Sequence, residues 1–132
     1  MNEAIVTQTG VADAPAVLVV EDEAIIRMML VDELEYAGIA VIEADGADAA
    51  VSIMSNGATI CAVVTDVRMP GTIDGLGLAA WMRHQAPRVP IIITSGVVTE
   101  SECEAINPAI KRVISKPYSA EKVASLVFAL IS

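Results

Sequence analysis

Carboxylates, hydroxyls and one ammonium stand at the ends of four short apolar runs in this chain. Val17-Leu18-Val19-Val20 ends in Glu21-Asp22, and Val63-Val64-Thr65 ends in Asp66. Ile91-Ile92-Ile93 ends in Thr94-Ser95-Gly96, and Val113-Ile114-Ser115 ends in Lys116-Pro117. One such Asp means little, because Asp favours turns. Four runs ending this way mean more. If they are parallel strands, their polar ends converge on one edge of a sheet. Glu21, Asp22 and Asp66 would then raise one another's pKa unless something positive joined them. A hard divalent cation is the natural remedy, and Mg²⁺ accepts one or two carboxylates while keeping its waters. A cation, the Lys116 ammonium and a hydroxyl around one acceptor carboxylate are what phosphoryl transfer requires. The equatorial oxygens need neutralising while the nucleophile attacks in line. Carboxylates serve as such nucleophiles and form aspartyl phosphates. The plainer alternative, that Glu21 and Asp22 only cap the following helix, accounts for one acid but not for two facing a third.

The elements that must position these groups can be read from apolar spacing. Val17 to Val20 is a continuous apolar run, too short for a helix, and predicts a strand buried on both faces. Ile25, Ile26, Met29, Leu30, Leu34 and Ala37 recur at helical spacing from about Glu23, and Gly38 closes that helix. Ile39 to Ala44 predicts a second strand. Asp45 is placed to cap a helix through Ala49, Ala50, Ile53 and Met54, stopped by Asn56-Gly57. Ile60 to Asp66 predicts the third strand, which Pro70 prevents from continuing as a paired element. A loop, Gly71-Thr72-Ile73-Asp74-Gly75, leads to a helix through Leu76, Ala79, Ala80 and Met82 to about Gln85. Val89 to Ser95 predicts the fourth strand. Thr99 to about Ile106 reads as a weak helix, Lys111 to Ser115 as the fifth strand. Ser119 caps a last helix striped by Val123, Leu126, Val127 and Leu130.

Strands alternating with helices predict an α/β sandwich of three layers around a five-stranded parallel sheet with five helices. Right-handed crossovers put every strand's carboxyl end on one edge, where open sheets hold their ligands. At 132 residues the chain is expected to be one domain (residues 15–132) behind a loose tail (residues 1–14).

Composition narrows the function. The chain is 55% hydrophobic but 3% aromatic, so its core must be aliphatic, which suits a sheet covered on both sides. A net charge of −9 argues against nucleic acid as a partner. Cys61 and Cys103 lack metal-ligand spacing and read as small apolar residues in a reducing compartment. The first fifteen residues carry Glu3 and Asp13 and no Lys or Arg, unlike a secretory signal. No apolar run is long enough to cross a bilayer, so no membrane association is expected and the expected location is the cytoplasm.

Together, Glu21-Asp22 after Val-Leu-Val-Val, Asp66-Val-Arg-Met-Pro70, Asp74-Gly75, Ser95-Gly96 and Lys116-Pro117 resemble a two-component response-regulator receiver domain, single-domain and similar to a chemotaxis receiver. The resemblance covers about Ala16 to Ile131. It implies the flavodoxin-like strand order 2-1-3-4-5, for which a chemotaxis receiver is a standard example. It also implies that Asp66 accepts a phosphoryl group from a histidine kinase or a histidine phosphotransferase. Asp22, Asp66 and the Arg68 backbone carbonyl would hold Mg²⁺, with Glu21 acting through water. Lys116 would pair with phosphoryl oxygens, and Ser95, or alternatively Thr94, would bond one of them. Alternation along a strand lets only one of that adjacent pair point at the site.

The resemblance has departures. Val113 stands where the family usually carries a switch aromatic, the loop from Pro70 to Asp74 is longer by about two residues, and Arg68 is bulky and cationic beside the acceptor. The implied protein is a signalling module rather than an enzyme on a foreign substrate, catalysing at most its own phosphorylation and dephosphorylation. It would signal by phosphorylation-dependent partner binding, a homodimer among the options, and its partner would dock near the Asp22–Tyr36 helix. Because the chain stops just after the last helix, a stand-alone receiver is expected, with a piece of a hybrid histidine kinase or a vestigial interaction module as alternatives. A haloacid-dehalogenase-like phosphatase would want a second Asp two residues after the nucleophile, where Arg68 stands.

Overall fold

The computed structural model describes residues 15–132; the expected tail over residues 1–14 lies outside the described residues. Five strands alternate with five helices: β1 Ala16–Val20, α1 Ala24–Tyr36, β2 Val41–Ala44, α2 Ala47–Ser55 and β3 Ile60–Asp66, then α3 Gly75–Gln85, β4 Ile91–Ser95, α4 Glu100–Ile106, β5 Ile110–Ser115 and α5 Ala120–Ile131. All pairings are parallel and the sheet order is β2-β1-β3-β4-β5. This is the three-layer α/β arrangement with flavodoxin-like order.

Strand alternation divides the core in two. Leu18, Val20, Val63, Ile91 and Ile93 pack with Leu78, Ala79, Met82 and Cys103 beneath α2, α3 and α4. Val17, Val19, Ala62, Val64, Ile92 and Ile114 pack with Leu30, Leu34, Val123 and Val127 beneath α1 and α5. The central strands β1, β3 and β4 are aliphatic and almost wholly buried, as a sheet covered on both faces demands.

The structure shifts some boundaries read from apolar spacing. Ile39 is buried but is not in β2. Its N–H bonds back to the Leu34 carbonyl at 3.0 Å while the Gly38 N–H bonds to Glu35, closing α1 in a Schellman turn. Gly38 supplies the positive φ of 84° that this turn needs. The expectation that Asp45 caps α2 is corrected: Gly46 is the N-cap, and no side chain caps that helix end. Asp45 stands one residue too early to reach the first free N–H groups. At α4, short and poor in apolar anchors, Thr99 and Glu102 form a reciprocal capping box that holds the N-terminal turn.

Candidate functional site

β3 carries Asp66 to the carboxyl edge with its side chain almost buried. One oxygen, Oδ1, accepts the Val67 N–H at 2.7 Å, and the other, Oδ2, lies 2.7 Å from Lys116 Nζ. Lys116 follows β5 directly, and its peptide bond to Pro117 is cis. Glu21 and Asp22 follow β1 in the same way, and each has a carboxylate oxygen within 4.8 Å of an oxygen of Asp66 and of the other. Glu21 is 1% exposed. Its Oε2 accepts the N–H of Glu23, the residue before α1, at 3.1 Å, and no side chain caps the first turn of that helix.

Alternation explains why all of these groups except Asp22 share a face; Asp22, of opposite parity, joins them from the connection between β1 and α1. Val19, Val64, Ile92 and Ile114 all face α1 and α5. Glu21, Asp66, Thr94 and Lys116 each stand two residues further along their strands, on that same face. Thr94 is the register partner of Asp66. Ser95 has the opposite parity at the end of β4, and its Oγ accepts the N–H groups of Val97 at 3.1 Å and Val98 at 3.3 Å. Val113 is half-buried against the core beneath α3 and α4, and its N–H bonds to Glu100 Oε2 at 3.3 Å. Arg68 is exposed on the rim.

Three supports escaped the reading of motifs. Arg27 donates to the Glu21 carbonyl at 2.7 Å and pairs with Glu43 at 3.1 Å, fixing the backbone between the two adjacent acids. Asp48 at the start of α2 accepts both the N–H and the hydroxyl of Thr72, strapping the long loop after Pro70 to α2. Tyr118 packs into the α1/α5 face with its hydroxyl buried.

Burial chiefly, then the charge of Asp66 and the proximity of Asp22, push the Glu21 carboxyl from 4.5 up to about 7 against the pull of the Glu23 N–H and Lys116. Burial would lower Lys116, but the hydrogen bond and charge of Asp66 outweigh it and hold the ammonium above its ordinary value. One buried oxygen, Glu21 Oε1, has no hydrogen-bond partner. Three oxygen donors in one pocket, one unsatisfied and costly to charge, fit a hard divalent cation such as Mg²⁺.

A pH dependence follows. Between pH 4.5 and about 7 folded Glu21 keeps a proton that the unfolded chain has released. Stability therefore falls as pH rises through that window and stays lower above it. The loss is on the order of 2 kcal/mol, less than the full shift would give because water and Lys116 screen the charge. Urea unfolding of the metal-free protein at pH 5 and pH 8 measures it. Glu21→Gln should flatten the difference; a variant as pH-dependent as the parent would place the cause elsewhere.

Residues 17–128 match the family model of the response regulator receiver domain, and the chain belongs to that family. The response regulator protein FleR of Pseudomonas aeruginosa is 31% identical over 115 residues, 86% of this chain and 24% of FleR. The sensor kinase CckA of Brucella abortus is 32% identical over 121 residues, 90% of this chain and 13% of CckA. Among solved structures, the response regulator TrrA of Thermotoga maritima, in complex with Mg²⁺-BeF, superposes with a TM-score of 0.75. It is 26% identical, covering 89% of this chain and 99% of that one. The chain spans between 13% and 48% of the length of the curated relatives it matches. Among the described residues, no helix is long and apolar enough to cross a membrane.

Proposed function

We propose that this receiver domain accepts a phosphoryl group on Asp66 from a histidine kinase or a histidine phosphotransferase and signals by phosphorylation-dependent partner binding. The observation that carries the reading is the 2.7 Å contact of Lys116 with Asp66 inside a pocket shared by Glu21 and Asp22. An Asp66 carboxylate oxygen attacks the phosphorus of a phosphohistidine, forming the acyl phosphate. The N–P bond breaks and its electron pair leaves with the imidazole. Lys116 moves from the carboxylate to a phosphoryl oxygen, replacing one ion pair with another. Held by Asp22, Asp66 and the Arg68 carbonyl, with Glu21 acting through water, Mg²⁺ would neutralise charge on the transferred group.

Ser95, the hydroxyl ranked first from the sequence, has the opposite parity, and its Oγ is taken up by the N–H groups of Val97 and Val98. Thr94, the register partner of Asp66 and on its face, is therefore our choice for the hydroxyl that bonds the phosphoryl group, with Ser95 as the alternative. Movement of Thr94 toward that group would carry Ser95 and the loop leading to α4 with it. Val113 cannot act as an aromatic switch, so the signal would leave through this loop. Ile25, Met28 and Met29 are exposed on α1 just beyond Asp22 and offer an apolar surface for the phosphodonor protein. Protein phosphodonors of this class place the reaction in the cytoplasm. The likeness to a sensor kinase supports a second reading, a receiver module of a hybrid kinase.

Incubating the protein with phosphoramidate and Mg²⁺ tests the proposal by intact mass. One phosphoryl group per chain is expected, absent with EDTA and released by hydroxylamine as an acyl phosphate. A hydroxylamine-resistant group, or none, would sink it. The same protein should not turn over generic phosphoesters.

A further inference from the structure

A strand running straight on through Asp22 would send that side chain away from Glu21 and Asp66. Its carboxylate nevertheless has an oxygen within 4.8 Å of an oxygen of each. The chain must therefore leave the pleat between Glu21 and Asp22. The Glu21 N–H still pairs with β2, at 3.1 Å from the Ala44 carbonyl. The Glu21 carbonyl, which belongs to the peptide that carries Asp22, is taken by a side chain instead: Arg27 Nη1 donates to it at 2.7 Å. Arg27 is itself oriented, because its Nε donates to Glu43 at 3.1 Å and its side chain is only 19% exposed. Glu43 is the register partner of Val19 on β2, so it lies on the α1 side of the sheet. A planar guanidinium serves both acceptors at fixed angles, which a lone ammonium cannot do. The helix gains nothing from this placement. Among the described residues no side chain caps α1 and no acid stands in its first turn. Arg27 sets a cation near an N-terminus whose dipole favours anions. Local rules of this kind are broken where a site requires it.

We propose that Arg27 is a positioning residue for the acidic pocket: its guanidinium, oriented by Glu43, holds the peptide between Glu21 and Asp22 so that the Asp22 carboxylate stays on the side of the acceptor. Arg27 acts through the backbone and touches neither the cation nor the transferred group. This inference rests on the metal-dependent reading of the site. Residues that orient a metal ligand from behind commonly change affinity about tenfold or more when removed.

Calorimetric titration of the full chain with Mg²⁺ tests it, because charge and geometry predict opposite signs. Removing a cation beside the acids would by its field alone tighten Mg²⁺ binding. Arg27→Met, which keeps an apolar stem, should instead raise the dissociation constant about tenfold. Arg27→Lys should leave most of that loss in place, since one ammonium cannot hold both acceptors. Labelling of Arg27→Met by phosphoramidate should need about tenfold more Mg²⁺ for half its maximal rate, with the rate at saturating Mg²⁺ within about twofold of the parent's. Glu43→Gln, half exposed on an edge strand, disturbs the arrangement without removing the guanidinium. It should weaken Mg²⁺ binding in the parent and not in the Arg27→Met background. Tighter or unchanged binding in Arg27→Met would overturn the inference. So would parent affinity in Arg27→Lys, or equal weakening by Glu43→Gln in both backgrounds. If Arg27→Met does not fold, Arg27→Lys and Glu43→Gln decide, and parent affinity in both would overturn the inference. A parent protein that binds no Mg²⁺ would overturn the metal-dependent reading as well, whereas failure confined to the variants leaves that reading standing.

Discussion

Asp66→Asn is expected to abolish labelling by phosphoramidate while leaving the fold in place. The amide oxygen can still accept the Val67 N–H where Oδ1 does now, so the strand end keeps its local bond. The amide nitrogen would face the Lys116 ammonium, donor against donor, and the ion pair is lost. Nucleophilicity disappears with the charge, since an amide offers no carboxylate electron pair. The stability terms oppose one another. Losing the pair with half-open Lys116 costs about 1 kcal/mol, because that ammonium can turn to water. Removing one of three clustered negative charges relieves Glu21, whose carboxyl Asp66 helps to raise. The net change should stay within about 1 kcal/mol, so urea unfolding can separate lost chemistry from lost structure. Labelling that persists at the parent's stoichiometry would move the acceptor to Asp22, Glu21 or a hydroxyl.

Most of the site was legible because strand chemistry is local. Apolar runs ending in acid or lysine locate the carboxyl edge before any coordinates are known, although β3 stops at Asp66, ahead of Pro70. Alternation then fixes which ends share a face, and Glu21, Asp66, Thr94 and Lys116 do. What escaped depends on contacts between distant segments. Asp48 and Thr72 are 24 residues apart, and nothing in either neighbourhood announces their link. Arg27 reaches back to the Glu21 carbonyl from a helix whose apolar spacing took in Ile25 and Met29, which are exposed, and passed over its polar residues. The signal for α4 was present but of another kind: Thr99 three residues before Glu102 is a capping box, which holds a helix end without an apolar stripe. Ile39 misled because burial alone does not distinguish the last turn of a helix from the first residue of a strand. Tyr118 could have been noticed as a polar tip on an otherwise apolar position after Lys116-Pro117.

Gly75→Ala should damage the fold more than any other small substitution near the site. Gly75 opens α3, and its N–H bonds to the Val67 carbonyl at 2.9 Å, bringing the helix start directly onto the end of β3. A methyl group there would overlap the carbonyl oxygen of Asp66. It would also lie 2.9 Å from the Asp66 carbonyl carbon and 3.0 Å from Val67 Cα. These are backbone atoms of a buried strand, so no side chain can swing aside, and relief requires parting α3 from β3. The expected cost is about 3 kcal/mol, at the upper end for overpacking. Gly96→Ala is the control, since a methyl group there meets nothing within 4 Å and should change stability by no more than about 0.5 kcal/mol. Moving the carbonyl of Asp66 also moves its carboxylate relative to Lys116. Any folded Gly75→Ala protein should therefore label more slowly with phosphoramidate than its loss of folded population explains. Parent-like stability in Gly75→Ala would mean that α3 sits further from the acceptor strand than this packing requires, and the close seating of Asp66 would have to be abandoned with it.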